Sequence, residues 1–251
     1  MSRATFPFDC RRLSRRLACL FVGCILSSLA FAQEATVTAQ VHVVAEGAAA
    51  HSRKNPSNVV LWLTTLDKPT ALRPANSPSS PPRPRLTQKD KKFDPHILVI
   101  PVGTAVEFPN RDPFFHNVFS LFEGKRFDLG LYETGTSRLV HFDRPGVSYI
   151  FCNIHPEMSA VVIALTTPYY AVSDSKGKIT IPNVPLGRYS AQLWAEGVSA
   201  ENLKALSREV TLSESESSLG TFRVVEDSSP RTHKNKYGRD YDAPVSNYPP
   251  K

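Results

Sequence analysis

VSYIFCNIHPEMSAVVIALTT, residues 147–167, reads as a strand, a tight loop and a second strand. The first strand delivers Cys152 to its end. The second is a run of β-branched and small apolar residues and reads as a final buried strand. The loop between them places a thiol, an imidazole and a thioether at C-x-x-H-x-x-M, as Cys152, His155 and Met158. A loop this short turns all three toward one point. Soft sulfur with imidazole suits copper, and two His, one Cys and a weak axial Met make a trigonal electron-transfer site. One further His is therefore needed from elsewhere in the chain.

Working outward, the preceding residues are short extended runs broken by Gly, Pro and Asn. HILVIPVG and TAVEF are strands, PNRDPFFHN is a loop, NVFSLF resumes the extended pattern, and RLVHFD alternates before an Arg-Pro-Gly turn. Such spacing, with almost no helical periodicity, predicts an all-β sandwich or barrel. His116 closes the Asn110…Asp112…His116-Asn117-Val118 loop and is the favoured fourth ligand. His141 is its rival but leads away toward the opposite turn, and His96 reads as a surface residue. Taken singly, Cys152 could be a buried structural thiol and His116 a solvated loop residue. His155 could serve as a base beside a nucleophilic Cys, but such pairs come from distant parts of a sequence.

The flanks have a different character. Val37, Ala39, Val41 and Val43 alternate in residues 33–67, and NVVLWLTTL forms a second strand there. Residues 68–85 are rich in Pro and Ser and read as an extended linker. Residues 168–226 carry a hairpin turn at Asp174–Gly177, alternating strands and about two helical turns in SAENLKALSRE. Residues 227–251 are polar and are expected to be a disordered tail.

The net charge of +7 is concentrated at the start of the chain, where Arg3, Arg11, Arg12, Arg15 and Arg16 face only Asp9. A charged start, the uncharged run Leu17–Ala32 and the Ala30-Phe31-Ala32 site make residues 1–32 a secretory signal. The apolar run is short against the roughly 20 residues of a membrane span, so an uncleaved anchor or peripheral association is the membrane alternative. The basicity belongs largely to this segment and supports no nucleic-acid binding. Of four cysteines, Cys10, Cys19 and Cys24 lie in the signal, leaving Cys152 unpaired in an exported chain. Met158 is the only methionine besides Met1.

Residues 86–167 resemble the plastocyanin/amicyanin branch of the cupredoxins. The likeness rests on Phe93 and Pro95, the V-x-V-G-x-V-x-F-like run Ile100–Phe108, Asn110 and Asp112 before His116-Asn117-Val118, and the terminal loop with Pro156 after its His. It implies a Greek-key β-sandwich that binds one copper ion, cycling between Cu(I) and Cu(II), through His116, Cys152, His155 and Met158. Asn117 would tie the two ligand loops together by hydrogen bonds. The flanks resemble a smaller carboxypeptidase-regulatory-like, or transthyretin-like, β-sandwich. Its pattern appears as Asp174, Gly177, Ile179, Ile181, Val184, Pro185, Gly187 and Tyr189. The opening strands of that sandwich lie before residue 68, so the copper unit reads as an insertion.

The expectation is thus a periplasmic or otherwise extracytoplasmic blue-copper protein, not an enzyme, passing single electrons between redox protein partners. A copper carrier and a non-redox binding module built on the flanking sandwich are the alternatives. His155, beyond its strand end, should be the more exposed imidazole. Phe114, Phe115 and Pro156 would form an uncharged collar around it.

Overall fold

The structure, a computed structural model, describes residues 33–45, 55–67, 82–121, 123–227 and 233–241. The proposed signal segment and most of the Pro-rich linker lie outside the described residues. So does His51.

The described chain is all-β, with one short helix. Strands β1 (Glu34–Ala45) and β2 (Val60–Thr65) come first. Strands β3 (Thr87–Lys89), β4 (Lys92–Asp94), β5 (Ile97–Pro101), β6 (Thr104–Pro109), β7 (His116–Ser120), β8 (Phe127–Tyr132), β9 (Ser137–Phe142), β10 (Gly146–Cys152) and β11 (Ser159–Leu165) follow. Strands β12 (Tyr170–Val172), β13 (Lys178–Pro185) and β14 (Gly187–Trp194), helix α1 (Ala200–Leu206), and strands β15 (Arg208–Leu212) and β16 (Ser218–Glu226) complete the order.

Strands from the two ends of the chain pair with each other. One sheet has the order β13-β1-β16 and another the order β12-β2-β14-β15. The alternation in β1 has the predicted sense, with Val37, Ala39, Val41 and Val43 all buried between these two sheets. The β12–β13 turn shows why the motif has Asp and Gly where it does. Asp174 Oδ1 accepts the backbone N–H of Lys176 and Lys178, and Gly177 adopts φ +77°. A Cβ on Gly177 would stand 2.2 Å from the Val41 carbonyl oxygen, so only glycine lets the turn close onto β1.

Between β2 and β12 the chain builds a second sandwich. Its main sheet runs β5-β11-β10-β7-β8, with β5 and β11 parallel, and it faces the β6–β9 and β3–β4 ribbons. Leu86, Phe108, Phe142, Ile150 and Met158 are among the residues of its core.

A third core joins the two sandwiches. Ala160, Val162 and Ala164 of β11 point into the central sandwich, whereas Val161, Ile163 and Leu165 point outward. There they meet Val60 of β2, Ile97 of β5 and Trp194 of β14. Strand β2 is also two-faced, since Leu61 and Leu63 serve the flanking core and Val60 the joint. The uninterrupted apolar runs in β2 and β11 follow from this: each lies in a sheet covered on both sides.

His96 closes the edge of the joint and is not the simple surface residue expected from the sequence. Its Nδ1 lies 3.1 Å from the Ser159 carbonyl and its Nε2 2.7 Å from the Glu196 carboxylate. Both partners are acceptors, so both ring nitrogens must donate and the imidazolium is favoured. The bond to Glu196 raises the His96 pKa, aided by the Glu196 charge and the Ser159 carbonyl and opposed by burial. A raised folded-state pKa contributes stability that is fully present below the unfolded value, about 6.5, and lost as pH rises through the folded value. The stability gap between wild type and His96→Gln, from urea midpoints, should therefore be largest near pH 5.5 and shrink as pH rises above 7. Both side chains are more than a third exposed, so the gap should stay below about 1 kcal/mol.

Candidate metal centre

The site sits at one end of the five-stranded sheet, and the strand directions put it there. Strands β7 and β10 are antiparallel neighbours, with Phe119 opposite Phe151 and Val118 opposite Cys152. The start of β7 therefore lies beside the end of β10, which brings His116 next to Cys152. Alternation along β10 turns Ile150 and Cys152 into the core and Tyr149 toward the joint.

After Cys152 the chain makes a closed loop. The Cys152 N–H donates to the Met158 carbonyl at 3.3 Å, and the Met158 N–H donates to the His155 carbonyl at 3.1 Å. The Asn153 N–H donates to the Asn117 carbonyl at 2.8 Å, linking the two ligand-bearing segments. Asn117 thus joins the loops through its backbone. Its side chain points elsewhere and donates to Asp128 Oδ1 at 2.6 Å.

Three donor atoms converge. Cys152 Sγ lies 3.6 Å from His116 Nδ1 and 3.6 Å from His155 Nδ1, and the two Nδ1 atoms are 3.2 Å apart. Donors around a trigonal ion with bonds of roughly 2.0–2.3 Å stand about 3.5–3.7 Å apart, so the triangle fits one metal ion. Cys152 and His116 are fully buried, and His155 is partly exposed. Met158 is fully buried in the core that holds Cys152. His141 is exposed on β9 opposite Ala105, in a different sheet.

Asp112 fixes the orientation of His116, a role not readable in advance. Its Oδ2 lies 2.8 Å from His116 Nε2, and the carboxylate also accepts the N–H of Asp90 at 2.6 Å and of Lys91 at 3.1 Å. Burial pushes the Asp112 carboxyl up, but the His116 ring and the Lys91 and Asp90 N–H groups outweigh it and hold the pKa below its ordinary value. An ionised Asp112 makes Nε2 the donor, so His116 Nδ1 carries the lone pair that faces Cys152. For His155, burial comes first and the basic neighbours His116 and Lys91 second. They hold the pKa below the ordinary value against the pull of Glu157 and Asp112. The imidazole is thus neutral near pH 7, with a lone pair available. Without a metal, the Nδ1–H tautomer of His155 can donate to His116 Nδ1 at 3.2 Å; with that proton displaced, two Nδ1 lone pairs and the sulfur face one point that a cation can occupy. The donor set therefore fits a bound metal ion.

Asn110 shapes the loop before His116. Fully buried, it donates to the Phe114 carbonyl at 2.8 Å and the Tyr132 carbonyl at 3.3 Å, and its Oδ1 accepts the Asp112 N–H at 3.0 Å. Phe114 then lies edge-on to His116 and tilted to His155, its ring centroid 5.3 Å from the first and 5.4 Å from the second. Phe115 and Ile154 are exposed nearby in sequence. The surround is not free of charge, as the sequence suggested, because Lys91 Nζ sits 5.7 Å from the Phe114 centroid.

Residues 233–241, placed by their composition in a disordered tail, are folded against the ligand loop. His233 Nε2 lies 2.7 Å from the Pro156 carbonyl, and Tyr241 donates to the Cys152 carbonyl at 2.8 Å. Polar composition gives no sign of this, because the segment is held by a few specific bonds to the loop and not by an apolar stripe.

No protein-family model and no curated protein matches the chain. Solved structures similar to part of it include a cupredoxin, a copper nitrite reductase and amicyanin variants. A purple cupredoxin from Nitrosopumilus maritimus is 26% identical over 33% of this chain and 99% of its own, with a TM-score of 0.30. The Cu-containing nitrite reductase of Thermus scotoductus SA-01 is 26% identical over 39% of this chain and only 25% of its own, with a TM-score of 0.33. A reduced amicyanin variant is 19% identical over 35% of this chain and 86% of its own, with a TM-score of 0.32. The functional reading accordingly rests on the ligand geometry.

Proposed function

We propose that this chain is an exported protein that binds one copper ion in a type-1 site and carries single electrons between redox protein partners. The observation that carries this reading is the convergence of His116 Nδ1, Cys152 Sγ and His155 Nδ1 within 3.6 Å of one another. These three would hold the metal, with Met158, buried in the same core as Cys152, as a weak fourth ligand. The metal would supply a one-electron couple between Cu(I) and Cu(II), and no substrate would be transformed.

The chain's own residues serve that couple by rigidity. Asp112 and Asn110 lock His116, the closed Cys152–Met158 loop locks the thiolate, and the buried core excludes water from Cys152. Electron exchange would run through the partly exposed His155 edge, bordered by Phe114 and Pro156. A small contact of this kind, apolar apart from Lys91, suits a transient partner. Export would rest on residues 1–32. Among the described residues, no helix is long and apolar enough to cross a membrane. The flanking sandwich, with its carboxypeptidase-regulatory-like motif, would act as a rigid mount for the copper unit.

The test is the visible spectrum of purified protein titrated with Cu(II). One equivalent should produce an intense thiolate-to-copper charge-transfer band that ascorbate bleaches reversibly. A colourless copper-loaded protein would refute the type-1 assignment.

Asp112→Asn should keep the fold with a modest loss of stability: its one amide oxygen can still accept from His116 Nε2 and the Lys91 N–H, whereas its NH2 faces the Asp90 N–H and loses that bond. It removes the negative charge that raises the basicity of the ligand. Copper affinity, measured by chelator competition, should fall roughly 10–100-fold, the usual cost of losing such an outer partner.

A further inference from the structure

The C-terminal segment reaches three points on the ligand loop. Tyr241 Oη donates to the Cys152 carbonyl at 2.8 Å. The Lys236 N–H donates to Asn153 Oδ1 at 2.9 Å. His233 Nε2 bonds the Pro156 carbonyl at 2.7 Å, and its ring stacks on Phe151 with centroids 4.0 Å apart and planes inclined by 21°. Lys236 Nζ also pairs with Asp128 Oδ2 at 2.8 Å, and Asp128 holds the Asn117 side chain beside His116. The segment therefore touches the thiolate-bearing residue, the loop behind it and, through one carboxylate, the strand that carries the other imidazole.

The segment is itself organised for this contact. Asn235 Oδ1 accepts the N–H groups of Tyr237 and Arg239 at 3.0 and 3.1 Å, and the Asn235 N–H donates to the Arg239 carbonyl at 2.8 Å. Gly238 turns the chain with φ +75°. The Tyr241 hydroxyl also lies 3.2 Å from His233 Nδ1, so the two ends of the segment support each other.

We propose that residues 233–241 are a built-in clamp of the metal centre, with Tyr241 and His233 as positioning residues for the Cys152–Met158 loop. A loop of seven residues bearing three ligands must hold its carbonyls still if the donors are to stay converged. Its own three backbone bonds fix Cys152, Asn153 and Met158. The clamp supplies a donor to each of two further carbonyls of the loop, His233 to Pro156 and Tyr241 to Cys152. The copper readouts below depend on the proposed function, whereas the metal-free readout does not.

Tyr241→Phe removes one hydroxyl and Phe remains a good space-filler. His233→Phe keeps a ring to stack on Phe151 while removing the bond to Pro156. In metal-free protein, amide hydrogen exchange over residues 153–158 should quicken about tenfold in each variant, the scale of one lost hydrogen bond. Exchange in β1 and β16 should stay unchanged. In the copper-loaded Tyr241→Phe protein the charge-transfer band should shift, and copper loss to a chelator should quicken about tenfold on the same basis. Wild-type exchange rates over residues 153–158 in the double variant would overturn the clamp, as would an equal acceleration throughout the chain. A wild type without the charge-transfer band would refute the proposed function and leave the clamp to be judged by the exchange data.

Discussion

Cys152→Ser protein is expected to fold and to remain colourless when Cu(II) is added. The smaller serine hydroxyl fits the same buried space, and a shift of a few tenths of an ångström lets it donate to His116 Nδ1 or His155 Nδ1, each 3.6 Å from the sulfur it replaces. The variant therefore does not strand a buried polar group. It does lose the soft ligand that makes the set suitable for copper, since a hydroxyl is not ionised at neutral pH as a metal-bound thiol is. Copper affinity should fall by more than the roughly 10–100-fold expected for losing an outer partner such as Asp112. Met158→Leu should behave differently. A weak axial thioether tunes the couple without creating the colour, so the band should survive with a changed potential. Absorbance, copper retained after dialysis and circular dichroism on the two variants decide the matter. If Cys152→Ser stays as intensely coloured as wild type, the thiolate is not a ligand.

Some of this was readable because the physics is local. Val37, Ala39, Val41 and Val43 alternate because one face of β1 is buried, and Asp174 and Gly177 mark a turn that other residues could not close. Cys152, His155 and Met158 lie within seven residues, so their convergence needs only a short loop. His116 was harder, and its context of Asn110 and Asp112 proved to be the loop's own hydrogen-bond frame. Most of what the sequence hid is non-local; the exception is the bond from Asp112 to His116, four residues on, across an irregular loop where no periodicity applies. Strand β1 pairs in parallel with β16, almost the whole chain away. His233 and Tyr241 meet the copper loop from a polar segment with no pattern of its own. The apolar runs in β2 and β11 marked both as buried strands, but not that each is covered on two faces, nor what covers the second.

That second face carries the other large expected effect. Trp194 is 4% exposed, in the core that joins the sandwiches, with its ring centroid 6.5 Å from that of Tyr149. Val161, Ile163 and Leu165 of β11 share that core, and all three would face water if the sandwiches parted. Burying each such side chain is worth roughly 1.5–3 kcal/mol, so neither sandwich is expected to be well behaved alone. Trp194→Ala removes the largest side chain in this core and leaves a cavity between two rigid sheets, where relaxation is hardest. The expected loss is about 3–5 kcal/mol. Both tryptophans of the chain, Trp62 and Trp194, lie at this joint, so wild-type tryptophan emission reports on the joint itself. In wild type, that emission and far-ultraviolet dichroism should change at the same urea concentration, because β2 and β11 each belong to two cores. In Trp194→Ala, the emission of Trp62 should change at lower urea than the dichroism, as the joint opens before the sheets unfold. A loss below about 1 kcal/mol, against the range for a buried aromatic, would show that the sandwiches are held mainly by their chain connections.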